Sequence, residues 1–593
     1  MTPNEIDPEL LKYGYTPGTP ESKIYYNPLV YGYKIQNSSG SNVLNGTYKG
    51  WAEINVRLTQ NKTTGQMYSP THVYWKTGDI TVNTISFPNL ILDGSGKPVN
   101  PITLEKYNYI FNNDTALSMG TISKTGNSLI SPSDSFTLID GSGAQSVTGL
   151  ENLKGGTDRI SYTLDDGAVS ATASGTMGIT DDNKNLTYSL GNPETITYHS
   201  LDWTKTAPMV TLDAGKTYDL SQTAIDTSAM QMKGLSSLKR GVNMRTLLTV
   251  NGHDAGIDES KLTDSPIHIT LGSTLEGTGR ALLQDGDLVY RADMDRQPQT
   301  HKTLLGQEAG LAALIESNDL ILDTMKNLDK SADGIEAFGT VGGGENRYET
   351  GSHITTNLWR GQAGFARKDS SKKGSSWEYG LSYDYGDGSY RTFYRGTGNG
   401  KINYKGAGIF GKYIRPDGFY GEASFRMGRA SNDAKNILHD ELGRPYRYRT
   451  DSLYNAFHVG IGRISDRGHG NSLDTYLRFF HTHLNGDTFE AGGHYDIDSL
   501  ESNLARIGTR WQHKDHRFEY YAGLAYEYEF SGKAYGIADG MDIESASIRG
   551  GSVRFEYGAS VDTGKWRVAI NGSDYAGKRK GFNGNLSLTC RVW

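Results

Sequence analysis

The chain has 593 residues, too many for one ordinary domain, so at least two domains are expected. Its net charge of -7 argues against a nucleic-acid-binding protein, and its single cysteine excludes an internal disulfide framework and a multi-cysteine metal site. No apolar run of about 18 residues occurs, which excludes a helical membrane span. The alternating strands of a membrane barrel are compatible with the hydrophobic content of 36%.

The first segment, residues 1–23, is rich in Pro and Gly and precedes any strand pattern, so we expect it to be loosely ordered. It has neither the basic stretch nor the apolar stretch of a secretory signal peptide. If the protein is exported, we expect its signal to lie upstream of the printed sequence.

Residues 24–300 are rich in Thr, Ser, Asn, Asp and Gly, with short β-prone runs between turns. The run from Phe136 to Ile139, for example, is followed by turn residues from Asp140 to Gly143. Short strands of irregular spacing predict an all-β region, which we interpret as a right-handed β-helix or solenoid whose rungs bury their faces on one another. A β-sandwich is the alternative.

One clear helix is predicted between the two halves, from about Leu304 to Leu328 within a linker region at 301–333. Its apolar residues recur at helical spacing, but its carboxylates make it a poor lipid-facing helix. A helix of this length, roughly 37 Å, can cross a membrane inside a protein lumen, and a place on a globular surface is the alternative. The apolar residues predicted to pack in the lumen include Leu311, Ile315, Leu322 and Met325.

From residue 334 to residue 593, apolar and polar residues alternate with the period of β-strands. Twelve strands are predicted, with cores at 335–347, 354–367, 376–386, 402–414, 418–429, 451–464, 472–484, 500–512, 516–530, 548–562, 565–574 and 582–593. Their length suits a tilted membrane crossing, and the polar face carries both signs of charge, which indicates a polar lumen. The residues predicted to face this lumen are Glu422, Arg426, Arg478, Arg506, Arg510, Glu519, Glu527, Arg554 and Glu556.

The predicted connections alternate in length. Short turns, such as Pro416 to Gly418 and Asp562 to Gly564, follow even-numbered strands, and longer polar stretches lie at 430–450, 485–499 and 531–547. Outer-membrane barrels combine tight periplasmic turns with long external loops in this way.

The last strand ends the chain. Its apolar face is predicted to contain Phe582, Leu586, Leu588 and Val592, with Cys590 as a small apolar residue on the same side. The terminal Trp593 has the parity of the polar face, one step out of phase, so the register of this strand is an open question.

The order of these segments resembles that of the type V bacterial autotransporters, over roughly residues 305–593. The resemblance rests on a helix that leads into twelve strands, the aromatic end at Trp593, and a polar β-rich region ahead of the helix. It implies a monomeric barrel in the outer membrane, plugged by the helix, that assists export of its own passenger and anchors it at the cell surface. It also implies outer-membrane lipid, the outer-membrane assembly machinery and periplasmic chaperones as partners, and an adhesive passenger with an unknown surface ligand. Some relatives cleave the passenger between two adjacent Asn residues of the helix, and this helix has no such pair.

No catalytic, metal or cofactor site is predicted. The Asp-Gly-Ser-Gly strings at 93–96 and 140–143 are typical of turns, and no Gly-x-Ser-x-Gly elbow accompanies triad partners. His481 and His483 share a strand face without a third ligand nearby, so we interpret them as part of a polar rim. Three alternatives stay open: a porin-like channel with an accessory β-domain, an autotransporter whose upstream passenger is an enzyme, and a soluble two-domain β-protein.

Overall fold

The computed structural model describes residues 23–36, 42–56, 59–60, 67–68, 71–75, 78–153, 155–180, 182–252, 255–328 and 333–592. The predicted loose segment therefore lies almost entirely outside the described residues, as does Trp593. The chain divides into two compact units. The N-terminal unit contains Met1–His268 and Thr278–Asp293, and the C-terminal unit contains Ile269–Gly277 and Met294–Trp593.

The region ahead of the helix consists of strands and short 3-10 turns. The strands are Lys23–Gln36, Val43–Val56, Thr59–Gln60, Met67–Tyr68, Thr71–Trp75, Asp79–Leu92, Ile102–Glu105, Asn108–Lys124, Phe136–Gly143, Ser146–Thr148, Gly155–Leu164, Val169–Ile179, Leu186–Leu190, Thr195–Tyr198, Ser200–Asp202, Val210–Thr211, Ala224–Asp226, Gln231–Lys233, Gly241–Thr249, Leu262–Thr263, Ile267–Leu271, Leu275–Gln284 and Asp287–Arg296. The 3-10 turns are Leu150–Leu153, Asp165–Gly167, Leu235–Ser237 and Glu259–Lys261.

Parallel and antiparallel pairing are mixed in the N-terminal unit. Thr195–Tyr198, Ala224–Asp226 and Leu262–Thr263 pair in parallel, which stacks Ile196 on Ile225 as buried neighbours. Val43–Val56, in contrast, pairs antiparallel with the strand before it. Parallel rungs are the local geometry of a solenoid. The complete right-handed β-helix stays a prediction.

The C-terminal unit contains a closed barrel of twelve strands in chain order, as predicted. The strands are β1 (Gly334–Glu349), β2 (His353–Ser370), β3 (Ser376–Phe393), β4 (Thr397–Ile414), β5 (Phe419–His439), β6 (Pro445–Gly468), β7 (Asn471–Leu484), β8 (Leu500–Asp515), β9 (Phe518–Glu529), β10 (Gly550–Asp562), β11 (Trp566–Gly577) and β12 (Arg579–Arg591). Every neighbouring pair is antiparallel, and β12 pairs with β1, so the sheet has no free edge.

The alternation of the sequence sorts side chains between the two faces of the barrel wall. On β9, Leu524 is 55% exposed, whereas Glu527 is 3% exposed. The same contrast recurs on the other strands, so large apolar side chains form the outer face. An apolar outer face around a charged interior is the arrangement of a membrane barrel, and it is the reverse of a soluble barrel.

One predicted loop is wrong. The polar stretch at 430–450 is a pair of long strands, since β5 continues to His439 and β6 starts at Pro445. Ala434, Ile437 and Leu438 bury their side chains in the barrel core, which stabilises the strand extension despite its polar composition. The other two stretches contain short strands, at Asp487–Glu490, His494–Ile497, Lys533–Ala534, Gly536–Ala538, Met541–Asp542 and Ala546–Ser547.

On the last strand, Phe582, Leu586, Leu588 and Val592 are all exposed on the outer face. Cys590 has the same parity and is half-buried. The phase of Trp593 relative to this face lies outside the described residues.

A single α-helix, α1 (His301–Leu328), precedes the barrel, and the 3-10 turn Pro298–Thr300 leads into it. The helix starts three residues before its predicted beginning and ends at the predicted residue. No helix in the described part of the chain combines the length and apolar character needed to cross a membrane.

Candidate functional site in the barrel lumen

The helix α1 is enclosed by the barrel. All 28 of its residues are buried, and it contacts eight of the twelve barrel strands, from β1 to β5, then β7, β8 and β12. The predicted stripe residues Leu311, Ile315, Leu322 and Met325 are buried, as are the carboxylates between them. A helix on a globular surface would leave one face exposed, so the alternative placement of this helix is wrong.

The first half of α1 packs through apolar contacts. Leu304, Leu311 and Ile315 join a core with wall residues such as Tyr390 and Leu484. Glu308 is the exception, because it is fully buried and neither of its carboxylate oxygens has a hydrogen-bond partner among the described residues.

The second half of α1 is held by charged contacts centred on Asp319. The guanidinium of Arg506 lies 2.8 Å from one carboxylate oxygen, and that of Arg579 lies 3.0 Å from the other. The hydroxyl of Tyr575 donates a third hydrogen bond at 2.8 Å. A buried carboxylate with two cations and a donor satisfies both of its oxygens, which is the condition for a stable buried ion pair.

Glu316, one turn earlier, contacts β2, which is separated from β12 by β1 alone. Thr356 donates a hydrogen bond to its carboxylate at 2.8 Å, and Arg360 lies 3.8 Å from the other oxygen. Arg360 also donates to the main-chain oxygen of Glu316 at 2.6 Å. Asp319 and Glu316 therefore attach the helix to both β12 and β2.

Three further contacts fix the rotation of the helix. Arg426 donates to the side chains of Ser317 and Asn318 and pairs with Asp384 at 3.2 Å. At the C-terminal end, Lys326 donates to the hydroxyl of Tyr521.

A second charged network lies within the wall itself. Arg478 pairs with Glu422 at 2.5 Å, and Arg510 pairs with Asp474 at 2.6 Å. Arg554 pairs with Glu556 at 3.0 Å, and Arg506 also contacts Glu527 at 2.8 Å. These pairs lie within one strand or join strands that are one or two places apart in the barrel.

All nine residues predicted to face the lumen are buried in the barrel. The structure brings two of them, Arg426 and Arg506, into contact with α1. All nine lie on wall strands, and the other seven are Glu422, Arg478, Arg510, Glu519, Glu527, Arg554 and Glu556. The sequence analysis missed Arg360 and Arg579, although the buried parity of β2 could have indicated Arg360.

The loops at the N-terminal end of α1 hold residues 272–274, which in turn accept hydrogen bonds from Gln297, just ahead of the helix. Ser273 donates its amide to Gly492 at 2.9 Å and shares a hydrogen bond of 2.7 Å with Tyr495. Thr274 donates to the carboxylate of Asp539 at 2.5 Å. Gly272 adopts φ +53°, and a Cβ at this position would lie 1.9 Å from the main-chain oxygen of Gly492. We call this set of contacts, between residues 272–274 and the loops at 485–499 and 530–549, the loop clamp.

The fold and the lumen define a class of protein. A closed barrel with an apolar outer face, no free edge and a charged interior is an integral membrane barrel. Its interior is filled by α1, the helix that precedes β1 in the chain.

Parts of this chain are similar to known proteins. Residues 335–573 match the autotransporter β-domain family. Among solved structures, the chain is similar to the β-domain of the Bordetella autotransporter BrkA, with 15% identity and a TM-score of 0.37 over 44% of this chain and 100% of that one. It is similar to the translocator domain of NalP from Neisseria meningitidis, with 14% identity and a TM-score of 0.39 over 48% of this chain and 97% of that one. It is also similar to the transport unit of AIDA-I from Escherichia coli, with 13% identity and a TM-score of 0.35 over 44% of this chain and 92% of that one. Among curated proteins, none matches the sequence.

The chain therefore carries an autotransporter β-domain, as the order of its segments predicted. It is an outer-membrane autotransporter whose barrel serves the translocation of the passenger ahead of it, and the passenger is exported to the cell surface. The β-domain itself is not catalytic. The end of the barrel at which α1 begins is then the external end.

Proposed function

We propose that the protein displays its passenger permanently at the cell surface and that the passenger is adhesive. The carrying observation is the complete burial of α1, which connects the passenger to β1. A helix held through Asp319 to β8 and β12 and through Glu316 to β2 is an anchor, because pulling it out exposes several paired charges at once.

Retention of the passenger is supported by the contacts of Asn318, the first residue of the Asn318-Asp319 pair. Its side chain accepts from Arg426 and donates to Thr482, so it is not free to attack its own peptide bond. We therefore include no cleavage step, and α1 remains as a plug that prevents leakage after export.

The proposed partners follow from the closed wall. Because β1 and β12 pair with each other, the barrel has no edge for a second copy, which supports a monomer surrounded by outer-membrane lipid. Folding of such a barrel in the membrane requires the outer-membrane assembly machinery, and its export as an unfolded chain requires periplasmic chaperones. The surface ligand of the passenger is the remaining partner.

We do not assign catalysis to the passenger. In the string at 93–96, the carboxylate of Asp93 accepts from the amides of Ser95 and Lys97, each at 2.9 Å, and from the Ser95 hydroxyl at 2.7 Å. These bonds, with that of the Ser95 side chain as the largest cause, lower the pKa of Asp93. The hydroxyl of Ser95 is thus committed to a turn, as is typical of Asx turns, and lacks a base.

The test uses whole cells that express either the full chain or a chain without residues 78–268. We expect the passenger to be surface-labelled and absent from the medium, and the full chain alone to bind cells to a coated surface. The shortened chain controls for the effect of the barrel. Release of a soluble passenger, or equal adhesion by both chains, would contradict the proposal.

A further inference from the structure

The N-terminal unit contains a polar cavity of about 250 Å³ between two parallel rungs and a strained turn. The strands Ser200–Asp202 and Gln231–Lys233 supply one wall, and the turn Asp165–Gly167 supplies the rim. The three turn residues all have left-handed backbone, with φ of +46°, +52° and +86°. Left-handed backbone is strained at the two consecutive non-glycine residues Asp165 and Asp166, and such strain is concentrated at binding sites.

Arg245 is the central residue of this cavity, which we call the Arg245 pocket. It is 5% exposed, and it donates to the main-chain oxygens of Asp202, at 3.3 Å, and of Ala207. Three of its five N–H groups have no acceptor among the described residues, and no described carboxylate lies within 4 Å of it. Burial lowers the pKa of this guanidinium, whereas Asp165 and Asp202 raise it.

Some of the other charged side chains of the pocket have hydrogen-bond or ionic partners, and others do not. The Asp202 carboxylate accepts from the amide and hydroxyl of Thr204, and Asp165 pairs with Lys205 at 3.8 Å. Among the described residues, Lys233 and Asp166 have no ionic partner. The lining carries three carboxylates, on Asp165, Asp166 and Asp202, and three cations, on Lys205, Lys233 and Arg245, so it is neutral overall. The unfilled N–H groups of the Arg245 guanidinium, and not a net charge, favour an anion at this point.

We propose that the Arg245 pocket binds the carboxylate of a small acidic sugar. The planar fork of a guanidinium matches a carboxylate, which accepts two parallel hydrogen bonds from it. Lys233 at the rim adds a second positive charge, and Asp166 and Ser200 offer partners to sugar hydroxyls. The volume is below the range of about 300 to 1,000 Å³ typical of drug-sized ligands, so one monosaccharide unit is the expected occupant.

This inference names a class of ligand for the proposed adhesive passenger. The biological role of the pocket rests on that proposed function, whereas ligand binding by the pocket does not. The probe is glucuronate, titrated calorimetrically into the full chain in detergent, with glucose as the neutral analogue and acetate as the bare carboxylate. We expect saturable binding of glucuronate that weakens with added salt, no saturable binding of glucose, and affinity for acetate lower by about tenfold.

Three variants locate the site. Lys233→Ala removes an exposed rim charge and should weaken glucuronate binding by about fivefold, and Arg245→Lys should weaken it more because the fork is lost. Asp166→Asn removes a negative charge and should strengthen binding. Lys239→Ala changes an exposed lysine outside the pocket and is the matched control.

Absence of saturable glucuronate binding, equal binding of glucose, or equal binding by the wild type and Lys233→Ala would overturn the inference. The two proposals fail separately. Adhesive cells without glucuronate binding would refute the pocket alone, whereas glucuronate binding by a chain that does not support adhesion would refute the adhesive role alone.

Discussion

Asp319 of α1 and Arg506 of β8 are 187 residues apart in the sequence, and their side chains meet at 2.8 Å in the interior of the barrel. Arg506 also contacts Glu527, and Asp319 also contacts Arg579, so the pair joins the helix network to the wall network. Helix docking and wall packing are therefore coupled through one guanidinium.

The first prediction concerns this coupling. Asp319→Asn keeps the shape of the side chain but leaves Arg506 and Arg579 with less negative charge in a buried site. Breaking a buried pair in this way costs about 3–5 kcal/mol. The temperature at which the barrel changes its gel mobility should fall markedly. Asp515→Asn, at an exposed residue that ends β8, is the control and should leave that temperature unchanged.

The barrel was predictable because lipid imposes a strict rule on each strand. Side chains that face lipid near the membrane centre must be apolar, so the alternation of the sequence indicates that Leu524 faces outward. The helix was also predictable from local sequence, because the helical spacing of its apolar residues lies within one continuous stretch of 28 residues.

The contacts that define the site were not predictable in the same way. Asp319 and Arg579 are 260 residues apart, and no local pattern pairs them. The strand extension at 430–450 was missed because its inner face packs on α1, so its polar composition gave a loop signal. The parallel rungs of the passenger pair segments separated by irregular loops, which leaves no fixed period to detect.

The second prediction tests the outer face of β9. Leu524→Arg places a charge near the middle of the strand and should cost about 2–4 kcal/mol of folding free energy in lipid. Phe518→Arg, on the same face at the strand end, should cost about 0–1 kcal/mol because the side chain reaches the interface. Urea-dependent refolding into vesicles measures both. Equal costs for the two variants would show that β9 does not cross the membrane at this depth.

The third prediction concerns the loop clamp. Gly272→Ala places a Cβ against the main-chain oxygen of Gly492, so residues 272–274 must move away from the loops. Their backbone amides should then exchange with solvent faster, and external protease should cut the chain there. Gly256→Ala is the matched control, because Gly256 has φ +65° but a Cβ there would meet its nearest atom at 3.5 Å. If both variants resist protease equally, the clamp does not hold this segment.

The fourth prediction concerns the carboxylate of Glu308, which is buried without a hydrogen-bond partner among the described residues. A carboxyl group buried without a partner costs stability in either state, because it must stay charged away from water or take up a proton. Glu308→Gln removes that cost at nearly constant volume and should raise the stability of the barrel by about 1–3 kcal/mol. Thermal gel-shift assays measure the change, and Glu501→Gln, at a largely exposed side chain, is the control. A less stable Glu308→Gln barrel would show that Glu308 has a stabilising partner in the membrane.

The fifth prediction tests the position of α1 in cells. Thr324 of the helix and Thr340 of β1 lie with their hydroxyl oxygens 3.1 Å apart. Cysteines at both positions, in a chain with Cys590→Ala, are close enough for a disulfide once the helix is docked. Mass spectrometry of protease digests from intact cells should find the linked peptides after mild oxidation. Thr324→Cys with Thr355→Cys, on the opposite parity of the neighbouring strand β2, should not link. Because a helix that stays outside the lumen brings neither pair together, failure of the Thr324–Thr340 variant to link in a folded barrel would contradict the anchored state.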